Sequence, residues 1–307
     1  MKRNNLKGSA ILCLAALIWG LAFVAQSDAA DYIPPFAFNC LRSFLGAAFL
    51  LVFVWLKSLK TKEKLIPENR EERKITFIGG VICGVLLAIS VNFQQAGLTV
   101  YPEGVAASAR GGFLTAIYVV LVPVVAIFFK KKASIIIWCA VLIALAGTYF
   151  LCMSEGFSGI YLGDILMLCC AFCFTFHIIT VDSIGDKVDG ARLSFMQFMV
   201  CGIISLILSL IFEKGGFAVE NILAAAPQIA YLGIMSSGVA YTLQIVGQRY
   251  AEPAVASISM SLESVFAALG GWVIAGDILS GREFVGCALV FAAIIIAQLP
   301  EIIKKKA

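Results

Sequence analysis

Charge is scarce in this 307-residue chain. Asp, Glu, Lys and Arg make up 14% of it, against about 25% in soluble domains. Histidine occurs once, while 61% of the residues are hydrophobic. Mean hydropathy is +0.97. A soluble fold of this size could not hide so much apolar surface. The composition therefore argues against a water-soluble enzyme, a nucleic-acid module and a disordered chain. Other signatures are missing as well. There is no G-x-x-x-x-G-K-[ST] phosphate loop, so no ATP motor is visible, and no H-E-x-x-H. No ring of like charges or filter sequence suggests a channel. Nearly all ten cysteines fall inside apolar runs, so they read as small packing residues and not as a disulfide framework. Cys170 and Cys173 form a C-x-x-C, but within a helix. No metal, no cofactor and no catalytic residue is expected.

What the chain has is apolar length. A helix needs about 20 apolar residues to cross a bilayer. The sequence predicts ten such spans, at 8–26, 35–56, 75–97, 104–129, 133–153, 161–181, 192–212, 224–248, 252–275 and 283–300. Runs of this length exclude barrel strands. The start, Met1-Lys2-Arg3 and then an apolar run from Ile11, resembles a signal peptide. We read it as a first span, because similar spans follow at once. With the N-terminus inside, 19 of the 23 Lys and Arg fall at inside ends and loops. Only Lys214 and Arg282 fall outside, while Arg42 and Arg110 lie within spans. This asymmetry predicts ten spans with both termini cytoplasmic.

The two halves look alike. At an offset of 155, Gly8–Val24 lines up with Gly163–Ile179, and Arg42 with Gln197. At an offset of 154, Gly79, Gly84, Val85 and Gln94 meet Gly233, Gly238, Val239 and Gln248. Val122-Pro123-Val124 meets Glu263-Ser264-Val265. Each half has five spans, an odd number, so the second copy would sit upside down. Inverted repeats of this kind recur in secondary transporters, with the substrate site near the midplane. The expected halves are 1–153 and 160–301.

Several motifs carry a family resemblance. The first half holds Leu17-Ile18-Trp19-Gly20, Leu41-Arg42-Ser43, Gly112-Phe113-Leu114-Thr115 and Tyr118-Val119-Val120-Leu121-Val122-Pro123. The second holds Gln248-Arg249-Tyr250, the stretch Ser261-Leu262-Glu263-Ser264-Val265-Phe266-Ala267-Ala268, and Ala275-Gly276-Asp277 followed by Gly286. In order and spacing the chain resembles the EamA-type ten-helix members of the drug/metabolite transporter superfamily. Ser264 stands where the family usually has Pro, and Asp277 where it has Glu. The missing Pro puts in doubt a kink that would open the ninth helix at Glu263. The resemblance implies an all-α membrane transporter in the plasma membrane, with a small-molecule substrate and the lipid bilayer as partners. It implies no nucleic acid. Amino acids or related metabolites, moving outward, are the leading expectation; nucleobases, sugar phosphates or drugs are the alternative.

An ionisable side chain in hydrocarbon costs about 2.5–3.5 kcal/mol on insertion scales, so it tends to face a cavity or a partner. Glu263 could hold a proton or a substrate amine, or could accept from helix-end donors. Arg110 could clamp a carboxylate in two-pronged fashion beside Gly111 and Gly112, or pair with Glu103. His177 could titrate near neutral pH, or could be a helix–helix contact. Arg42 could bind a carboxylate; we favour a structural reading in which it snorkels or fixes a helix end. Ser90, Gln94 and Gln95 share one face of the third helix, and Tyr241, Gln244 and Gln248 one face of the eighth. Among the aromatics we choose Trp19 and Tyr118 for a cavity wall over Phe113 and Phe266. The predicted substrate-binding set is thus Trp19, Gln94, Arg110, Tyr118, His177, Tyr241, Gln244 and Glu263. From another class, Gly156-Phe157-Ser158-Gly159 matches the Gly-x-Ser-Gly of rhomboid-like intramembrane proteases. Ser158 falls in a short outer loop, however, and the enzyme reading is set aside.

Overall fold

The computed structural model describes residues 4–62, 64–102, 107–131, 133–153, 159–270, 273 and 280–306, and the side chains of all of these except 27, 107–110 and 301–306. Arg110, Glu103, Ser158 and Gly276-Asp277 therefore lie wholly, or by their side chains, outside the described residues.

Among the described residues the fold is entirely helical. Ten helices are long and apolar enough to cross a membrane: Asn5–Gln26 (α1), Pro35–Thr61 (α2), Arg70–Thr99 (α3), Gly111–Phe128 (α4), Ile135–Cys152 (α5), Leu162–Ile184 (α6), Gly190–Phe212 (α7), Ala226–Gln248 (α8), Pro253–Gly270 (α9) and Gly281–Pro300 (α10). The short helix Val219–Ala224 precedes α8. At the end where α2 stops and α3 starts, both helices overrun their apolar stretches. Asn69 caps α3 by accepting from the N–H groups of Glu71 and Glu72. Those two acids also complement the positive end of the helix dipole.

The ion pairs and loop contacts sort the loops to two ends. At one, Lys57 pairs with Asp189 (2.7 Å), Arg192 with Glu72 (3.4 Å) and Lys131 with Asp182. At the other, the Glu213 carboxylate accepts from Phe36 N (2.7 Å) and Ala37 N (2.8 Å), closing the start of α2. We refer to the first as the lysine-rich end.

Helix contacts follow a repeating scheme. α1 packs on α8 and α9 as α6 packs on α3 and α4. α2 packs on α8 as α7 packs on α3, while α2 meets α7 and α5 meets α10. Lipid gives no hydrophobic drive to such contacts, so close packing and interhelical hydrogen bonds must hold them. One polar ladder ties three helices. Asn39 on α2 donates to Val91 O and Asn92 Oδ1 on α3, both at 3.0 Å, and Asn92 donates to Ser205 Oγ on α7 at 2.9 Å. Such bonds contribute about 0.6 kcal/mol each.

Three spans are irregular. α4 breaks at Ile117, where N–H groups turn to i−3 carbonyls; Pro123 just beyond removes a further donor. α9 breaks at Ser261, between Pro253–Met260 and Leu262–Gly270. The absent Pro at 264 does not prevent it. Ser257, Ser259 and Ser261 each donate their hydroxyl back to a carbonyl of the preceding turn, an arrangement that bends helices. α8 contains a π-helical stretch, Leu232–Ala240, rich in small residues. Wide turns of this kind are frequent at functional sites.

Candidate functional site

The three irregular spans meet at one hollow. Its wall includes Trp19, Ala22, Phe23 and Gln26 of α1, Arg42 of α2, Gln94 of α3, and Thr115 and Tyr118 of α4. Phe174 and Ile178 of α6, Ser236, Tyr241 and Gln244 of α8, and Met260 and Glu263 of α9 complete it. Its volume is about 60 Å³ on the measure by which one water takes about 10–15 Å³. A ligand group of a few heavy atoms fits without rearrangement.

Close backbone approach builds the wall. A Cβ added to Gly20 would lie 2.5 Å from the Cβ of Phe266 and 2.7 Å from Glu263 O, so only glycine lets α1 cross α9 here. That crossing brings Trp19 and Glu263 to the same hollow. Tyr231 OH donates to Ile18 O (3.0 Å) and fixes α8 against α1 just before the π stretch. Trp19 then stacks edge-on against Tyr241, with ring centroids 4.8 Å apart.

Six of the eight residues expected from the sequence line this hollow: Trp19, Gln94, Tyr118, Tyr241, Gln244 and Glu263. Glu263 is 8% exposed and accepts from Tyr118 OH at 3.3 Å. His177 stands apart. It is fully buried, its Nε2 meets Gln197 Oε1 on α7 at 3.0 Å, and it does not line the hollow. The Arg110 side chain lies outside the described residues. Of the polar neighbours, Ser90 donates to Leu86 O of its own helix, Gln95 to Gln26 O (3.3 Å), and Gln248 to Ile178 O (2.9 Å).

The sequence reading passed over Arg42 as a wall residue. The guanidinium is 5% exposed and sits over the Phe38 ring. It finds no helix end to fix, and among the described residues it has no acid partner and no hydrogen-bond acceptor. The missing acid near position 42 was the available signal. Gln26, Thr115 and Ser236 also line the hollow, and none is marked by a charge.

Between the hollow and the lysine-rich end the bundle is tightly closed. Ser9 Oγ meets Ser259 Oγ and accepts from Gln298 Nε2, both at 2.7 Å, joining α1, α9 and α10. A Cβ on Gly8 would lie 2.7 Å from the Cβ and N of Ala251. Arg249 donates to Val188 O at 2.6 Å.

Known proteins give this architecture a context. The EamA-like transporter family model matches the chain twice, over residues 6–153 and 161–298. An uncharacterized transporter of Archaeoglobus fulgidus is 31% identical over 294 residues, covering 94% of this chain and 84% of that protein. The uncharacterized inner membrane transporter YedA of Escherichia coli is 23% identical and covers 92% and 88%. The uncharacterized transporter YwfM of Bacillus subtilis is 24% identical, covering 94% and 92%. A solved crystal structure superposes with a TM-score of 0.75 at 19% identity, over 95% of this chain and 97% of that one, and so shares the fold. With its ten apolar spans, its paired contact scheme and a family match over both halves, the chain belongs to the EamA-like transporter family.

Proposed function

We propose that this transporter is a secondary active carrier that works by alternating access and exports amino acids or related small metabolites. One observation supports this above the others: a polar hollow, fed by seven helices, lies inside the apolar bundle and is closed toward the lysine-rich end. By the positive-inside rule the lysine-rich end faces the cytoplasm, with both termini there. The hollow then belongs to the outward half of the cycle. The paired contact scheme and the double family match support two inverted repeats, 1–153 and 160–301, whose rocking would exchange the closed and hollow ends. Without a nucleotide motif, the energy comes from a proton gradient or from the gradient of the solute itself.

A thermal-shift screen of the purified protein against amino acids, nucleobases and sugar phosphates tests the substrate class, because a bound ligand stabilises the folded state by mass action. We expect amino acids to raise the melting temperature and the other two classes to leave it unchanged. Counterflow of the stabilising solute in proteoliposomes tests transport itself. Flux indifferent to pH and to membrane potential excludes proton coupling.

A further inference from the structure

We propose that Arg42 is the anion-binding pole of the hollow and Glu263 its cation-binding pole, so that the substrate is a small zwitterion held by its carboxylate on α2 and its ammonium group on α9. This rests on reading the hollow as the transport site.

The argument starts from an imbalance. A buried guanidinium normally has a carboxylate or several carbonyls around it, because a charge removed from water without a partner is costly. Arg42 is 95% buried and has neither among the described residues. Its Nε has no partner among the described residues, and the Phe38 ring lies 5.8 Å from the guanidinium carbon. Yet Glu263 lines the same hollow and is not drawn into an ion pair with it. Arg42 is seven residues, about 10 Å, from the start of α2, and Glu263 lines the same hollow from α9.

Two opposite charges kept apart across one small cavity are complementary to a molecule that carries both. A zwitterion neutralises each pole; a simple anion leaves Glu263 repelling it, and a simple cation leaves Arg42 doing so. A phosphate dianion fits worse, with one guanidinium to bind it and a carboxylate opposite. Arg suits a carboxylate in particular, since its planar fork can donate two parallel hydrogen bonds. The wall supplies matching neutral groups. Trp19 Nε1 is a donor and Gln244 Oε1 an acceptor, and neither has a partner among the described residues.

The experiment is a thermal-shift and proteoliposome flux series with three probe sets: L-amino acids, their α-amides, and the amines left on decarboxylation. Wild type, Arg42→Gln, Arg42→Lys and Ala22→Trp are compared. For wild type we expect stabilisation and flux with free-carboxylate members only. Arg42→Gln should weaken their effect about 30-fold or more and bring acid and amide to parity. Arg42→Lys, which keeps the charge and loses the fork, should recover part of the preference. Similar melting temperatures without ligand show that the variants fold. An unchanged acid-to-amide preference in Arg42→Gln overturns the role of Arg42. A wild type that answers to amines or amides, or to none of the three sets, overturns the zwitterion. Ala22→Trp fills the hollow and tests the underlying reading separately: if it folds and its flux matches wild type, the hollow is not the route.

Discussion

Seven residues into α2 stands Arg42, and seven residues into α7 stands Gln197. The two helices pack against each other and run in opposite directions, so these matching positions lie toward opposite ends of the bundle. Their surroundings differ, notably at one pair of matched positions. The residue matching Ala22 of α1 is His177 of α6, at the same offset of 155. Ala22 and Arg42 line the same hollow. The His177 imidazole bonds to the Gln197 amide at 3.0 Å. Whether a polar side chain in a membrane helix faces a hollow or locks a helix pair goes here with what faces it. The pair Gln94 and Gln248 repeats the lesson: the first lines the hollow, and the second is spent on Ile178 O toward the closed end.

The contrast breaks most severely if the closed end cannot close. In Gly8→Leu the new side chain collides with Ala251, where a Cβ alone already sits at 2.7 Å. Overpacking of this kind costs about 1–3 kcal/mol. We expect counterflow to vanish, because one of the two alternating states is blocked, and the melting temperature to fall. Next in size is His177→Ala. It leaves the buried Gln197 Oε1 without its partner, at about 1–3 kcal/mol. Stability should drop while the solute concentration giving half-maximal stabilisation stays as in wild type. A changed half-maximal concentration would place His177 in the transport site after all. Ala22→His imposes the second half's arrangement on the first. It should cut the amino-acid response about tenfold, or about 1.4 kcal/mol, with the melting temperature nearly kept.

Much of this was legible in the sequence. Span number follows from apolar run length alone, and Trp19, Gln94, Tyr118, Tyr241, Gln244 and Glu263 stand out as polar or amphipathic groups at helical spacing. They meet at one hollow because three helices lose their regular turns there. Those irregularities were not legible. The break at Ser261 lies among three hydroxyls that bond back to their own helix, which a proline search overlooks. The π stretch Leu232–Ala240 depends on small residues meeting α2, a tertiary event. Arg42 and His177 look equally suspicious as lone charged or titratable groups in apolar runs. Only the surroundings separate them: Arg42 faces a hollow walled by seven helices, whereas His177 bonds to a neighbouring span.

The mildest test concerns the caps that hold α2 and α7 together at either end. At the hollow end, Glu213 reaches from α7 to the first N–H groups of α2. At the lysine-rich end, Asp189 caps its own helix through Ala191 N and Arg192 N, both at 3.1 Å, and pairs with Lys57 of α2. Burial pushes the Asp189 carboxyl upward, but Lys57 and the backbone N–H groups outweigh it and hold the group below its usual range. Asn caps a helix about as well as Asp, so Asp189→Asn isolates the ion pair. Both partners are partly solvated, and the expected loss is about 0.5 kcal/mol, within the range of surface pairs. The sign with pH follows from the lowered value. The stabilisation is fully present above the carboxylate range of an unfolded chain, about pH 4, and is lost as pH falls through the folded value. Melting curves of wild type and Asp189→Asn should therefore differ slightly at pH 7, converge under acid, and draw together in high salt. A gap that persists in acid would mean that the pair is not what joins α2 to α7 at this end, and that packing alone closes it.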